Sequence, residues 1–285
     1  MDRVKRNERL GAIARILTDS PNRIYTLSHF CELFGAVKSS ISDDIELLAE
    51  SFRRFDLGEV TTVAGAAGGV RYRPIPSRRR AAASLAAIAD KLSQPGRLLP
   101  GGFLYTSDIT CDPDMAECMG EVLAAAYYDR RPDLVLTMET KGIPVAMMVA
   151  RMLGVPLVIA RRDSRAYEGS AVKINYISGS SGEKIETMAL ARRSVKSGQR
   201  ALIIDDFAKG GGTLRGMCDL MAEFSAEVVG IGVVIMTAVP ERKRVDGIGA
   251  LMVLREVDPD GERALVVPAD WALSDGGGNG WTGLR

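Results

Sequence analysis

Two adjacent carboxylates and a glycine-rich loop follow one apolar run in the segment ALIIDDFAKGGGTLRGM, residues 201–217. Asp205 and Asp206 end the apolar run, and three glycines at 210–212 precede Thr213 and a helical pattern. The amides of a glycine loop can close around an anion, and the dipole of the following helix favours a phosphate there. The carboxylates would repel that phosphate, whereas ribose hydroxyls donate hydrogen bonds to them. The segment therefore predicts a site for a sugar phosphate with free 2′- and 3′-hydroxyls.

The predicted contacts of the ribose and its 5-phosphate are the acid pair and the loop after it, namely Asp205, Asp206, Phe207, Ala208, Lys209, Gly210, Gly211, Gly212 and Thr213. A plain tight turn is the alternative interpretation, because a glycine-rich loop alone is a weak signal. The loop is not a P-loop, since no G-x-x-x-x-G-K-[ST] occurs, and it lacks the G-x-G-x-x-G spacing of a dinucleotide site. The joint pattern of apolar strand, two acids and Gly-Gly-Thr favours the sugar phosphate.

The elements around this segment alternate between apolar strands and amphipathic helices. The predicted strands cover DLVLTM at 133–138, PLVIA at 156–160, RALIID at 200–205 and VVGIGVVIM at 228–236. Such strands are typical of a parallel α/β sheet covered by helices on both faces, and ligands bind beyond the carboxyl ends of its strands. The acid pair stands at such an end. Residues 163–190 instead predict a two-stranded antiparallel ribbon with a mobile tip at SGSSGEK.

The motif LIIDDFAKGGGT resembles the PRPP-binding motif of the type I phosphoribosyltransferases, and METKGIPVA at 138–146 resembles their pyrophosphate loop. By itself the second motif would also fit a surface turn with one solvated lysine. The resemblance implies that the diphosphate is held by this second loop and by the end of the next strand, through Thr140, Lys141, Gly142, Arg161 and Arg162. The ribbon matches the family's flexible loop. Phe103 and Tyr105 are candidates to stack on a purine ring, with a place in the core as the alternative.

The first 74 residues predict a winged helix-turn-helix. Apolar residues recur at helical spacing in 6–17 and up to Phe34, and Gly35 allows a tight turn before a third helix. Ser39 or Ser40 is the expected N-cap of that helix, with Asp43 and Asp44 in its first turn. A short β-branched run at 60–63 and a second run at 70–73 flank a glycine-rich tip and predict a hairpin that forms the wing.

The predicted DNA contacts lie at the amino end, at the start of the third helix and on the wing: Arg3, Lys5, Arg6, Lys38, Ser39, Ser40, Ser42, Arg71 and Arg73. We expect Asp43, Asp44 and Glu46 to point away from that face. Basic and acidic side chains are nearly balanced in residues 1–73, so the non-specific affinity for DNA should be modest.

The composition of the 285 residues is globular, with 46% hydrophobic and 26% charged residues and a formal net charge of +1. This balance gives no general drive toward nucleic acid or membranes. Four scattered cysteines and one histidine argue against a disulfide framework, a zinc site or histidine chemistry, so no metal site is predicted. No apolar run is long enough for a signal peptide or a membrane span, and we expect a cytoplasmic protein.

The motifs LPGG, TKGIP, EGSAVKINYISGSS and the acid–glycine segment, behind the winged-helix start, together resemble the purine operon repressors of Gram-positive bacteria. Pro74, Pro76 and the run Arg78–Arg80 mark a boundary between a winged-helix domain at 1–74 and a phosphoribosyltransferase-like domain at 75–285. An alanine-rich linker helix is predicted at about 78–93, and the tail at about 274–285 has too little apolar content to order itself. The resemblance implies a homodimer that represses purine biosynthesis genes by binding a double-stranded DNA operator. PRPP would be the effector that relieves repression, with Mg²⁺ as a possible companion and a pyrophosphate-bearing purine nucleotide as a possible competitor.

Two other functions remain open at this point. Lys209-Gly210 replaces the Ala-Thr that active purine transferases commonly carry before Gly-Gly-Thr, so we expect no catalytic residues and a sensor in place of an enzyme. An active phosphoribosyltransferase with an added DNA-binding domain is the alternative, because catalysis in this fold depends mainly on positioning. A messenger-RNA regulator is disfavoured, since a winged helix suits the major groove of DNA and not the narrow groove of RNA.

Overall fold

A computed structural model describes residues 4–65, 68–99, 103–163, 169–178, 184–258 and 263–273. Arg3, the tail 274–285 and the centre of the ribbon tip, about which the sequence makes predictions, lie outside the described residues. The chain divides into two compact units, Met1–Ser77 with Arg151–Gly154, and Arg78–Ala150 with Val155–Arg285.

The amino-terminal unit is the winged helix-turn-helix that the sequence predicts. Its elements are α1 (Arg6–Asp19), α2 (Leu27–Phe34), α3 (Lys38–Arg54), β1 (Glu59–Val63) and β2 (Gly69–Arg73). The strands pair antiparallel, and Tyr25 bridges Val70 as a short third strand. Gly69 allows this approach, because a Cβ there would lie 2.0 Å from the Tyr25 carbonyl oxygen.

Side chains from all three helices and both strands of the wing form the core of this unit. Phe30 stacks on Phe34 within α2, and Phe52 of α3 meets Tyr72 of β2 edge to face. The α3 positions at helical spacing are buried as predicted, namely Ile41, Ile45, Leu48 and Phe52. The wing is therefore attached to the helices by packing.

The start of α3 differs from the prediction. Val37 is the N-cap, so Ser39 and Ser40 lie inside the first turn and no acidic residue does. The helix begins early because Gly35 ends α2 in the left-handed conformation, and two residues later the Val37 carbonyl already accepts from the Ile41 amide at 3.2 Å.

The carboxyl-terminal unit begins with α4 (Arg78–Leu92), which packs against the last strand of the sheet and belongs to this unit. The elements after it are β3 (Leu98–Leu99), β4 (Phe103–Leu104), α5 (Ser107–Thr110), α6 (Pro113–Tyr127), β5 (Leu134–Met138), α7 (Ile143–Leu153), β6 (Leu157–Ala160), β7 (Ala171–Ser178), β8 (Lys184–Ala191), β9 (Arg200–Ala208), α8 (Gly212–Glu223), β10 (Glu227–Thr237), β11 (Ile248–Asp258), β12 (Arg263–Pro268) and α9 (Asp270–Leu273).

The main sheet has the order β12-β11-β10-β9-β5-β6, in which every pairing is parallel except that of β12 at the edge. This is the predicted phosphoribosyltransferase-like α/β sheet. Strand β9 lies near its centre, so its apolar run is buried on both faces; on one face it packs with α8, through residues such as Ile203, Leu214, Met217 and Leu220. The predicted ribbon is present as β7 and β8, paired antiparallel from Ala171↔Ala191 to Ser178↔Lys184.

Candidate functional site

The candidate effector site lies where β9 separates from β5. Strand β9 pairs with β5 only as far as Leu136↔Ile203, whereas it continues along β10 to Ala208. The acid pair is therefore inside the strand and not beyond its end, which corrects the predicted boundary. Past Ile203 the edge of β9 that faces β5 is unpaired. Such a gap between diverging parallel strands is where ligands bind in this class of sheet.

The two carboxylates sit in this gap. Asp205 is 6% exposed, and its Oδ1 accepts from the backbone N–H of Asp206 at 3.0 Å. Burial, reinforced by the neighbouring charge of Asp206, raises the pKa of Asp205 well above its ordinary value. Burial also raises the pKa of Asp206, while Asp205 and the positive charge of Lys141 act in the opposite direction. The pair is thus a desolvated acceptor site, which ribose hydroxyls or a cation would satisfy.

The loop after β5 closes against the acid pair at Gly142. A Cβ on Gly142 would lie 2.6 Å from Thr137 Oγ1 and 2.8 Å from Asp205 Oδ1, so only glycine fits. The peptide bond between Glu139 and Thr140 in this loop is cis. The structure therefore brings the predicted diphosphate loop, including Lys141, next to the predicted ribose contacts.

The glycine loop turns directly into α8. Gly211 is the N-cap, in the left-handed conformation at φ 78°, and the helix starts at Gly212. The first amides of a helix have no intrahelical acceptor, so those of Gly212 and Thr213 are available to an anion. Lys209 is exposed at the start of the loop. This loop and the first turn of α8 form a cradle, the segment for which the sequence predicts phosphate binding, and that binding stays a prediction.

Strand β7 of the ribbon lies directly on this first turn of α8. A Cβ on Gly212 would lie 2.1 Å from the Ile177 carbonyl oxygen, and one on Gly216 would lie 2.9 Å from the Tyr176 ring. The Tyr176 hydroxyl donates to Glu186 Oε2 at 2.8 Å across the ribbon. Burial, together with Glu186, raises the pKa of Tyr176 to about 12. The tip end of the ribbon therefore packs against the cradle, and the Tyr176–Glu186 bond links the two strands there.

The two predicted arginines after β6 differ in their surroundings. Arg161 Nη1 lies 3.3 Å from Glu139 Oε2, and the backbone N–H of Arg162 donates to Glu139 Oε1 at 2.8 Å. Glu139 thereby ties the end of β6 to the loop after β5. The Arg162 side chain is exposed and borders a groove of about 600 Å³, which is also lined by Asp163, Lys173, Asn175, Lys184, Glu186 and Thr187.

The two aromatic candidates lie on the hairpin of β3 and β4. Phe103 is 69% exposed and Tyr105 is 41% exposed, which contradicts the alternative that they belong to the core. Their stacking on a base stays a prediction.

The candidate DNA surface starts with the first turns of α3. Lys38, Ser39 and Ser42 are exposed and Ser40 is half-buried. Asp43 and Glu46 are also exposed, and helical spacing puts them on the same face as Ser39, so the expectation that they point away is wrong. The opposite side of α3 is buried in the core, so Asp43 and Glu46 can only point to the exposed side.

Asp44 points inward, as predicted, and it has a partner that the sequence did not suggest. Its side chain is 1% exposed and accepts from Arg6 Nε at 2.9 Å and from Arg9 Nε at 2.8 Å. Arg6, predicted to contact DNA, is therefore engaged in holding α1 to α3, although its side chain is 57% exposed.

The remaining predicted DNA contacts lie at the amino end and on the wing. Lys5 is the exposed N-cap of α1, and its backbone N–H donates to Glu8 Oε2 at 2.7 Å. Arg71 and Arg73 are half-buried on β2, and Arg73 Nε donates to Asn22 Oδ1 at 3.1 Å. Arg73 thus stabilises the wing in addition to any contact with DNA.

The loop between β10 and β11 carries no motif that predicts a place in the site. The backbone N–H of Arg244 donates to the Gly210 carbonyl at 3.0 Å, so this loop contacts the glycine cradle. Its position after a parallel strand beside β9 was the available signal. Within the described residues, no group of three or more His, Cys, Asp or Glu could hold a metal, and no helix is long and apolar enough to span a membrane.

Two family models match the chain, one for each unit. Residues 5–74 match the amino-terminal domain of the bacterial purine repressor, and residues 114–268 match the phosphoribosyl transferase domain. The adenine phosphoribosyltransferase structure from Thermoanaerobacter pseudethanolicus covers 58% of this chain and 96% of its own, with a TM-score of 0.51 and 24% identity. That likeness supports the fold alone.

Whole-length relatives are similar to both units together. The chain is 41% identical over 254 residues to the purine biosynthesis transcriptional repressor PurR of Bacillus subtilis, covering 89% of each chain. It is 37% identical over 255 residues to the purine biosynthesis transcriptional activator PurR of Lactococcus lactis subsp. lactis, covering 90% of this chain and 94% of the relative.

Proposed function

We propose that this chain, which belongs to the PurR family of purine biosynthesis transcriptional regulators, is a DNA-binding repressor whose operator binding is relieved by PRPP. The winged helix would bind the operator, and the phosphoribosyltransferase-like unit would bind the effector. The observation that carries the proposal is the desolvated acid pair between a phosphate cradle and a basic loop. Such a site suits a ligand that carries anions on both sides of a diol.

PRPP has this arrangement of groups. The amides of Gly212 and Thr213, with Lys209, would hold the 5-phosphate, and Asp205 and Asp206 would accept from the ribose hydroxyls. Lys141, Gly142 and Arg162 would face the diphosphate. Mg²⁺ carried by the diphosphate also fits, because carboxylates are the oxygen ligands that it prefers. A purine nucleotide that bears a pyrophosphate would compete for the same groups.

The proposed role of this unit is sensing and not catalysis. A sensor needs only a difference in effector affinity between the states that do and do not bind DNA. The exposed Lys209 before the cradle, where active purine transferases commonly carry a small residue, supports this reading. Incubation of purified protein with PRPP, Mg²⁺ and each common nucleobase should yield no nucleotide; formation at an enzyme-like rate would support the alternative, an active transferase.

The direction of regulation is a separate part of the proposal, because the Lactococcus relative is named an activator. We favour repression, since the amino-terminal family model is that of a repressor. In vitro transcription from a bound promoter should fall when the protein is added and recover with PRPP. A rise on addition of the protein would instead favour activation. We further propose that the protein acts as a homodimer in the cytoplasm, where bacterial DNA lies.

The effector site is tested by replacing both carboxylates. Asp205→Ala with Asp206→Ala should abolish PRPP binding in calorimetry while leaving operator affinity unchanged, because the exposed face of α3 belongs to the other unit. The variant should stay on the operator at PRPP concentrations that release the unaltered protein. If PRPP releases both proteins equally, the effector binds elsewhere.

A further inference from the structure

The loop between β10 and β11 holds the glycine cradle from its outer side. A Cβ on Gly211 would lie 3.3 Å from the Arg244 nitrogen and 3.5 Å from Lys243 Cβ, so the two loops are in close contact. The Gly210 carbonyl accepts from Arg244, and Thr237 Oγ1 lies 3.4 Å from the Lys209 carbonyl oxygen. The end of β10 and the loop after it thus bind carbonyl groups of the cradle.

Lys243 fixes the shape of the loop after β10. Its ammonium group donates to the Thr237 carbonyl at 2.8 Å, to Thr237 Oγ1 at 3.2 Å and to the Pro240 carbonyl. All three ammonium hydrogens are therefore used by neutral oxygens. Burial lowers the pKa of Lys243.

A partly desolvated cation that is held only by neutral oxygens is stabilised when an anion comes near it. The nearest candidate for that anion is a ligand phosphate in the cradle, because Lys243 Cβ lies against Gly211. The three bonds prevent the ammonium from reaching the ligand directly. Its influence would be exerted through the shape of the loop and through its charge.

We infer that Lys243 is a positioning residue for the 5-phosphate, which holds the cradle in its anion-binding shape and supplies a fixed positive charge behind it. This inference rests on the proposed function, since it requires that the cradle bind a phosphate. It adds a specificity: Lys243 should matter for the 5-phosphate and not for the diphosphate, which other loops would hold.

Lys243→Met tests the role, because methionine keeps much of the stem and removes the ammonium. Arg242→Met is the matched control, since Arg242 is an exposed cation in the same loop. Calorimetry with ribose 5-phosphate should show affinity about tenfold weaker for Lys243→Met and nearly unchanged for Arg242→Met. Pyrophosphate should bind both variants as it binds the unaltered protein. Lys243→Arg, which keeps the charge, should recover part of the affinity.

The salt dependence separates charge from loop shape. The affinity of the unaltered protein for ribose 5-phosphate should fall more steeply with ionic strength than that of Lys243→Met. The inference would be overturned if Lys243→Met and the unaltered protein bound ribose 5-phosphate with equal affinity. It would also be overturned if Lys243→Met lost as much affinity for pyrophosphate as for ribose 5-phosphate and had a lower melting temperature. If the unaltered protein binds neither ribose 5-phosphate nor PRPP, the proposed function itself fails.

Discussion

Each of the two units buries an aspartate, and the two aspartates differ in their bonding partners. Asp44 in the winged helix receives bonds from two arginines of the same unit. Asp205 in the other unit accepts one backbone bond, and its nearest charged neighbour is a second carboxylate. Burying a carboxylate is costly unless it is paired. We infer that Asp44 has its partners within the chain because its role is structural, whereas the partners of Asp205 are supplied by a ligand.

The largest expected effect is the loss of stability that follows from removing the carboxylate of Asp44. Asp44→Ala leaves Arg9 buried without its acid and should lower the free energy of unfolding of the winged helix by about 3–5 kcal/mol. Hydrogen exchange in α1 and α3 should then speed up, as measured by mass spectrometry. Asp43→Ala is the matched control, because the neighbouring Asp43 is exposed, and its exchange should not change. Equal exchange in both variants would show that the arginines do not fasten α1 to α3.

The next prediction concerns Gly142, which lies beside Asp205. Gly142→Ala would insert a methyl group 2.8 Å from Asp205 Oδ1 and 2.6 Å from Thr137 Oγ1. The displaced loop should weaken PRPP binding by about 1–3 kcal/mol in calorimetry. Gly11→Ala, where nothing lies within 4 Å, should leave PRPP binding unchanged. Unchanged affinity in Gly142→Ala would mean that the loop after β5 does not shape the site.

The acid pair, the glycine loop and the basic loop could be located from the sequence because each follows an apolar run, and parallel strands present their carboxyl ends at one edge. The sequence does not reveal the contact of Gly142 with Asp205, the pairing of Asp44 with Arg6, or the approach of Lys243 to Gly211. Each of these joins segments far apart in the chain, and no local periodicity records such contacts. The strands β11 and β12 and the helix α6 were likewise not predicted.

A smaller change in stability, a gain in place of a loss, is expected for Asp205→Asn. Burial raises the pKa of Asp205, so its ionisation favours the unfolded state at any pH above its ordinary pKa of about 4. Asparagine removes this penalty and can still accept from the Asp206 amide. We expect the variant to be about 1–2 kcal/mol more stable at neutral pH. The gain should vanish as the pH falls below the ordinary aspartate pKa, because both states of the unaltered protein are then protonated.

Thermal unfolding of both proteins across pH measures this difference. Asp219→Asn, on the exposed side of α8, is the control and should show no such pH-dependent gain. The stabilised variant should also lose PRPP binding. A variant that is less stable at neutral pH would contradict the view that Asp205 awaits a ligand.

The smallest effect should separate a basic residue that is available to DNA from one that the fold already uses. Lys38 is exposed at the start of α3, whereas Arg6 is paired with Asp44. Loss of one phosphate contact in Lys38→Ala should flatten the dependence of operator affinity on salt by about 0.9 in the log–log slope, with stability unchanged. Arg6→Ala should instead lower the stability of the winged helix and leave that slope nearly as it is. Titrating labelled operator at several salt concentrations, with a melting curve for each variant, measures both quantities. If Arg6→Ala flattens the slope as much as Lys38→Ala does, then the exposed part of the Arg6 guanidinium contacts DNA while Asp44 holds it. Pairing with Asp44 would then not prevent an arginine of this unit from binding DNA.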